Sequence, residues 1–169
     1  MKIAVTDACI FIDLIELQLT SQFFGLQFEI HTSLDVYNEL FQEQQELLKA
    51  YRSVGKLTVH NLTSEEKSQI QAEPFPKSLS DNDKSVIFLA EKLKALILSS
   101  DKAVRKYSKT KAIEYHGMLW IFDRLIEDGL LSTAEAIIKI RTLVTNNIVY
   151  RNNMELNGEI EKRVEKWEK

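Results

Sequence analysis

The stretch DNDKSVIFLAEKLKALILSSD, residues 81–101, decides how the chain is read. From Asp81 to Lys94, the apolar residues Val86, Ile87, Ala90 and Leu93 recur at three- and four-residue spacing, which predicts a helix with one apolar face. Ala95–Ser99 then runs without a charge, short and apolar enough for a strand buried on both faces. Asp101 follows that strand across a single residue, Ser100. Helix leading into buried strand is the alternation that marks an open parallel sheet.

The same alternation extends in both directions. Ile3–Thr6 is a short β-leaning run that leads into Asp7, and residues 9–18 are apolar at helical spacing. Phe28–Thr32 predicts a second strand. Ser33 then caps a long helix to about Tyr51, with Val36, Leu40, Leu47, Leu48 and Tyr51 as its stripe. Gly55 closes that unit, and Lys56–His60 alternates as a third strand. Thr63 with Glu66 is a capping box. Beyond Asp101 the pattern predicts a short helix at 104–108, an edge strand at Ala112-Ile113, and helices over 117–128 and 133–145. A last stripe holds Leu156, Ile160, Val164 and Trp167. The expected fold is α/β: three layers, α/β/α, around a short central parallel sheet, helix-rich, with extra C-terminal helices. Residues 1–132 are expected to form the principal domain, and 133–169 a helical extension packed on it.

Composition narrows the function. With 169 residues, 44% hydrophobic and 28% charged, the chain is long and apolar enough for one stable core. A single cysteine, Cys9, excludes an internal disulfide and a thiolate-built zinc site. The net charge of −3 and pI near 5.7 provide no global basic field, so any nucleic-acid contact must come from local patches. Asp7 interrupts the N-terminal apolar run before it reaches signal-peptide length, and no apolar run of about 18 residues exists, so a cytoplasmic protein without a membrane span is expected.

In open parallel sheets, ligands bind at the carboxyl ends of the strands. Asp7 follows its strand directly, and Asp101 follows Ala95–Ser99 across one residue. Asp83 lies on the buried face of its helix and Asp81 on the other; a carboxylate there is costly unless paired, capped or metal-bound. Ser80 with Asp83 also fits a capping box, so both readings stand. Glu39 flanks the stripe of the helix after the second strand. Four acids that converge on one sheet edge repel each other unless a cation neutralises them, and an all-oxygen set favours Mg²⁺ or Mn²⁺ over zinc. Metals so held suit phosphoryl chemistry.

Four segments, in this order, resemble the PIN-domain family of metal-dependent nucleases, which includes VapC-type toxins. They are Val5-Thr6-Asp7-Ala8-Cys9; Thr32 to Val36-Tyr37-Asn38-Glu39-Leu40; Leu79 to Asp83 with Ser85–Ala90; and Leu98-Ser99-Ser100-Asp101. Gly117–Leu131 is similar to the family's closing helix. The resemblance implies that Asp7, Glu39, Asp83 and Asp101 are the metal-binding catalytic acids and that Ser99 orients their pocket. It implies in-line attack of water on an RNA phosphodiester, leaving 5′-phosphate and 3′-hydroxyl ends. It extends to the toxin of a toxin–antitoxin pair, with an antitoxin or a second copy as partner. Ser80-Asp81-Asn82 departs from a glycine-rich approach to the third acid, and the helix-face position selects Asp83.

An acidic pocket needs a basic rim to hold RNA. Lys84, Lys102, Arg105 and Lys106 supply candidates, with Lys109 and Lys111 beyond them and Tyr107 and Tyr115 as stacking surfaces. The same lysines also read as a solvated helix face, and His116 as a structural residue. The sequence also admits two rival readings. One is a PIN-like binding or assembly module without turnover, its last stripe docking on the chain's own core, a second copy or an antitoxin. The other is a phosphatase using Asp7 covalently, which the dehalogenase pattern weakens because position 9 is Cys rather than an acid.

Overall fold

The computed structural model describes residues 1–169. Five parallel strands, β1 (Lys2–Thr6), β2 (Phe28–Ser33), β3 (Leu57–His60), β4 (Leu96–Leu98) and β5 (Tyr115–His116), form one sheet in the order β3-β2-β1-β4-β5. Between and after them lie α1 (Ala8–Glu16), α2 (Thr20–Phe24), α3 (Leu34–Glu39), α4 (Gln42–Ser53), α5 (Ser64–Ala72), α6 (Asp81–Leu93) and α7 (Lys102–Thr110). Helices α8 (Met118–Glu127), α9 (Thr133–Asn146), α10 (Ile148–Arg151) and α11 (Met154–Glu168) follow. The sheet is the helix-rich, all-parallel α/β architecture that the alternation predicts. Ala4 and Val5 of β1 and all of β4 are buried, as central parallel strands require. No helix is long and apolar enough to cross a membrane.

The chain builds outward from β1 to β2 and β3, then returns to the other side of β1 with β4. The reversal falls between β1 and β4, and a crevice at the carboxyl ends of two such strands is where ligands bind in open sheets. Register brings those ends level: Thr6 lies opposite Leu98, and the Asp7 amide donates to the Leu98 carbonyl at 2.9 Å.

Two expectations are corrected. The single helix expected from Ser33 to Tyr51 is two, α3 and α4, separated by Leu40 and Phe41 in extended conformation. The break is stabilised locally: Phe41 N–H donates to Gln44 Oε1, and Gln45 Nε2 donates to the Leu40 carbonyl, so backbone groups freed from the helix find side-chain partners. Leu40 turns inward while Phe41 is 74% exposed and Leu47 is half-exposed, so the expected stripe is not continuous. The edge strand expected at Ala112-Ile113 lies instead at Tyr115-His116. Ala112 has φ +56°, a left-handed conformation that ends the α7 turn and delays strand pairing.

Residues divide into two compact units. The first comprises Met1–Ile12 and Gln27–Met118, and holds the whole sheet. The second comprises Asp13–Leu26 and Leu119–Lys169. In the second, Ile160, Val164 and Trp167 of α11 are buried and Leu156 is half-buried. Arg163 donates to both carboxylate oxygens of Asp123 through Nε and Nη2, at 3.0 and 2.9 Å. Ser132 caps α9, its hydroxyl accepting the Glu135 amide at 3.1 Å. Ser132→Ala is expected to lower stability by about 1 kcal/mol, read from urea unfolding.

Candidate active site

The site begins where β1 ends. Asp7 is 5% exposed and held at both oxygens: the Ala8 amide, opening α1, donates to Oδ1 at 2.8 Å, and the Ser99 hydroxyl donates to Oδ2 at 2.8 Å. Burial dominates its titration. Desolvation raises the carboxyl, the bonds from Ser99 and Ala8 oppose it, the negative charges of Asp83 and Glu39 raise it again, and the result is a value pushed up to about 6.

Asp101 caps α7, its Oδ1 accepting the Ala103 and Val104 amides at 2.8 and 3.0 Å. Its own amide donates to Ser99 Oγ at 3.1 Å. Ser99 therefore links the Asp7 side chain to the backbone of Asp101, across the switch in strand order. Asp83 completes the capping box: the Ser80 amide donates to its Oδ2 at 2.9 Å, and the Asp83 amide donates to Ser80 Oγ at 3.1 Å. Both sequence readings of Asp83 meet here, since the capping residue is also one whose charge reaches Asp7. Asp81 is fully exposed on the opposite face.

Glu39 is the exposed last residue of α3, and its Oε2 accepts from Asn82 Nδ2 at 2.9 Å. The Ser85 hydroxyl donates to the Asn82 carbonyl at 2.6 Å and lies 2.7 Å from Ser33 Oγ, so the starts of α3 and α6 are fastened together. Sequence reasoning missed Asn82; its only signal was a polar residue between Asp81 and Asp83 at a helix start. It also missed Cys9, whose Sγ lies 3.8 Å from Asp7 Oδ2 and accepts the Ser100 amide at 3.3 Å.

Hydrogen bonds thus gather Asp7, Ser99 and Asp101, and charge couples Asp83 and Glu39 to Asp7. As they stand, no three acidic, histidine or cysteine side chains are close enough to hold an ion together. The donor set nonetheless suits a hard divalent cation. Glu39, Asp83 and Asp101 each use one oxygen for anchoring, and the buried Asp7 carries like-charge repulsion that a cation relieves.

The basic candidates divide. Lys102, Lys106 and Lys109 fall on one exposed face of α7, while Val104, Tyr107 and Ser108 face inward. Lys84 lies 3.9 Å from Asp81 and over the Phe75 ring. Tyr107 is buried against Phe75, which removes it as a stacking surface. Arg105 turns inward too: its Nη1 donates to the Ser99 carbonyl at 3.1 Å, and its guanidinium covers the Tyr115 ring at 5.0 Å. Gly117 makes room for it, since a Cβ there meets Arg105 Nη1 at 2.9 Å. Gly117→Ala is therefore expected to dislodge the guanidinium from Ser99 and lower stability by about 1 kcal/mol. Retained stability with an unchanged Tyr115 fluorescence environment is the contrary result.

The DUF3368 family model, described as a PIN domain, matches residues 3–157. No curated protein matches the sequence. Among solved structures, a PilT N-terminus domain protein from the hyperthermophilic archaeon Sulfolobus solfataricus is similar, with a TM-score of 0.56 at 16% identity. The likeness covers 74% of this chain and 94% of that one, and at such identity it concerns the fold.

Proposed function

Because this chain belongs to the PIN-domain family, we propose that it is a metal-dependent endoribonuclease, hydrolysing RNA phosphodiester bonds with Mg²⁺ or Mn²⁺. The observation that carries this reading is the placement of Asp7 and Asp101 at the strand-order switch, joined through Ser99, with the charges of Asp83 and Glu39 bearing on Asp7. Asp7, Asp83 and Asp101 hold the metal; Glu39, the most exposed, holds a second ion or orients the attacking water. When bound, the metal neutralises charge on the phosphate and lowers the pKa of water. Ser99 fixes the Asp7 carboxylate by donating its hydroxyl proton, so Asp7 cannot rotate away from the crevice. Lys84, Lys102 and Lys106 bind phosphates on the approach, with affinity that falls as salt rises. Arg105 contributes by holding the Ser99 backbone. The same reading extends to the toxin of a toxin–antitoxin pair, with an antitoxin or a second copy as its protein partner.

The test incubates the full chain with single-stranded RNA, with Mn²⁺ and with EDTA, and identifies the product ends. Cleavage that needs the metal and leaves 5′-phosphates supports the proposal; cleavage that persists in EDTA overturns it. One observation favours a second reading, a PIN fold that binds without turnover: no three donors are drawn together as they stand. Calorimetry separates the two, since absence of millimolar-range Mg²⁺ or Mn²⁺ binding favours the module.

A further inference from the structure

Two of the three histidines meet outside the acidic cluster. β2 and β3 pair in parallel, with His31 opposite Thr58 and Ser33 opposite His60. Side chains two apart on a strand share a face, and so do register partners, so His31 and His60 are diagonal neighbours on one side of the sheet. His31 Nδ1 lies 2.7 Å from His60 Nε2, with the rings 21° from parallel and their centroids 5.0 Å apart.

We propose that His31 and His60 form a two-imidazole site for a borderline divalent ion of the zinc class. Such ions favour imidazole nitrogen, whereas Mg²⁺ favours oxygen, so the site is chemically distinct from the carboxylate cluster. Neutral imidazole carries one proton and one lone pair. In the hydrogen-bonded pair one ring donates inward. If that ring moves its proton to its outer nitrogen, both inner lone pairs converge, and no proton leaves the protein. At Zn–N distances of about 2.0 Å, tetrahedral ligation sets the nitrogens roughly 3.3 Å apart. Reaching that separation from 2.7 Å takes about 0.6 Å, and each ring must also tilt, because the inner nitrogens now face each other head-on and their lone pairs must turn toward the ion.

The charge beside His31 favours a cation. Glu29 lies two residues before His31 on the same face, exposed, and its charge acts on that imidazole. His60 faces His31, Lys92 and Glu66; Lys92 and Glu66 pair with each other at 2.7 Å, and Lys92 acts on the imidazole more strongly than Glu66. Burial, the leading influence on both rings, holds each below the usual histidine range, which leaves neutral ligands at pH 7. Water completes the coordination.

The experiment titrates Zn²⁺ into the full chain under saturating Mg²⁺, following ¹⁵N imidazole resonances and competition with a chromophoric chelator. His31 and His60 are expected to shift together while His116 stays in place. His31→Gln and His60→Gln are each expected to weaken binding at least tenfold. The proposal is overturned if neither resonance moves at saturating Zn²⁺, or if His60→Gln binds as tightly as the parent. Resonances of the unmodified chain decide the matter even where a variant folds poorly.

Discussion

Asp7→Asn is expected to lower cleavage of single-stranded RNA by at least about a thousandfold, close to 4 kcal/mol of transition-state stabilisation, without lowering the melting temperature. The substitution keeps the shape and the oxygen that accepts the Ala8 amide at 2.8 Å, removes the charge, and reverses the Ser99 contact, whose hydroxyl oxygen then accepts from the new amide nitrogen where it had donated at 2.8 Å. Asp7 is the one deeply buried acid among the four, and Asp83 and Glu39 both press on it. Ionised, it is unfavourable to the metal-free fold, so its loss carries no penalty of the kind that follows from breaking a stabilising pair. Activity and stability should therefore part company. Initial rates and thermal melts of one preparation check this, and a variant that cleaves within tenfold of the parent removes Asp7 from the reaction. Asp101→Asn is the companion. Asparagine caps a helix as well as aspartate does, so a loss of rate there reports the charge rather than the α7 cap.

The strand–helix alternation was legible because β1 and β4 are built on short apolar runs, Ile3–Val5 and Leu96–Leu98, set beside helices with a clear apolar face. Asp7 just after β1 and Asp101 three residues after β4 stand at positions the alternation alone identifies. What remained hidden depends on contacts distant in sequence or on backbone choices with no periodic signature. The break at Leu40-Phe41 rests on Gln44 and Gln45, ordinary helix formers whose side chains bond the backbone only once the chain has turned. The delay of β5 rests on the left-handed Ala112, a conformation that composition does not advertise.

The site shows the same division. Asp7, Asp101 and the capping pair Ser80–Asp83 follow from local rules. The Asn82–Glu39 bond spans 43 positions, and the Ser99–Asp7 bond 92. Ser99 was placed through a family resemblance and not from its own surroundings. Arg105 reads from the sequence as a phosphate contact on a basic helix; that its guanidinium also meets the Ser99 carbonyl and the Tyr115 ring is a contact no local pattern announces.

The second large effect concerns Asp13, in the other compact unit. Asp13→Asn is expected to raise stability by up to about 3 kcal/mol above pH 7 and by nothing at pH 4. Asp13 is 4% exposed; its Oδ1 accepts from Asn147 Nδ2 at 3.1 Å, and its Oδ2 is buried without a partner. Burial is the main influence on the carboxyl, the Asn147 bond opposes it, the nearby Glu16 charge adds to it, and the value is pushed up to about 6. The unfolded chain releases the same proton near pH 4. Between those values the folded state binds more protons, so stability falls as pH rises, and the deficit is complete above about pH 6. Asparagine keeps an oxygen for Asn147, which in turn caps α10 by accepting the Val149 amide at 3.0 Å, and it removes the buried charge. Asp7 titrates over the same range, so the parent's pH dependence should be reduced by the substitution and not abolished. Urea unfolding of both proteins at pH 4, 5, 6 and 7.5 measures this. A gap between them that does not widen with pH would show that the ionised carboxylate is not what burial at this position disfavours.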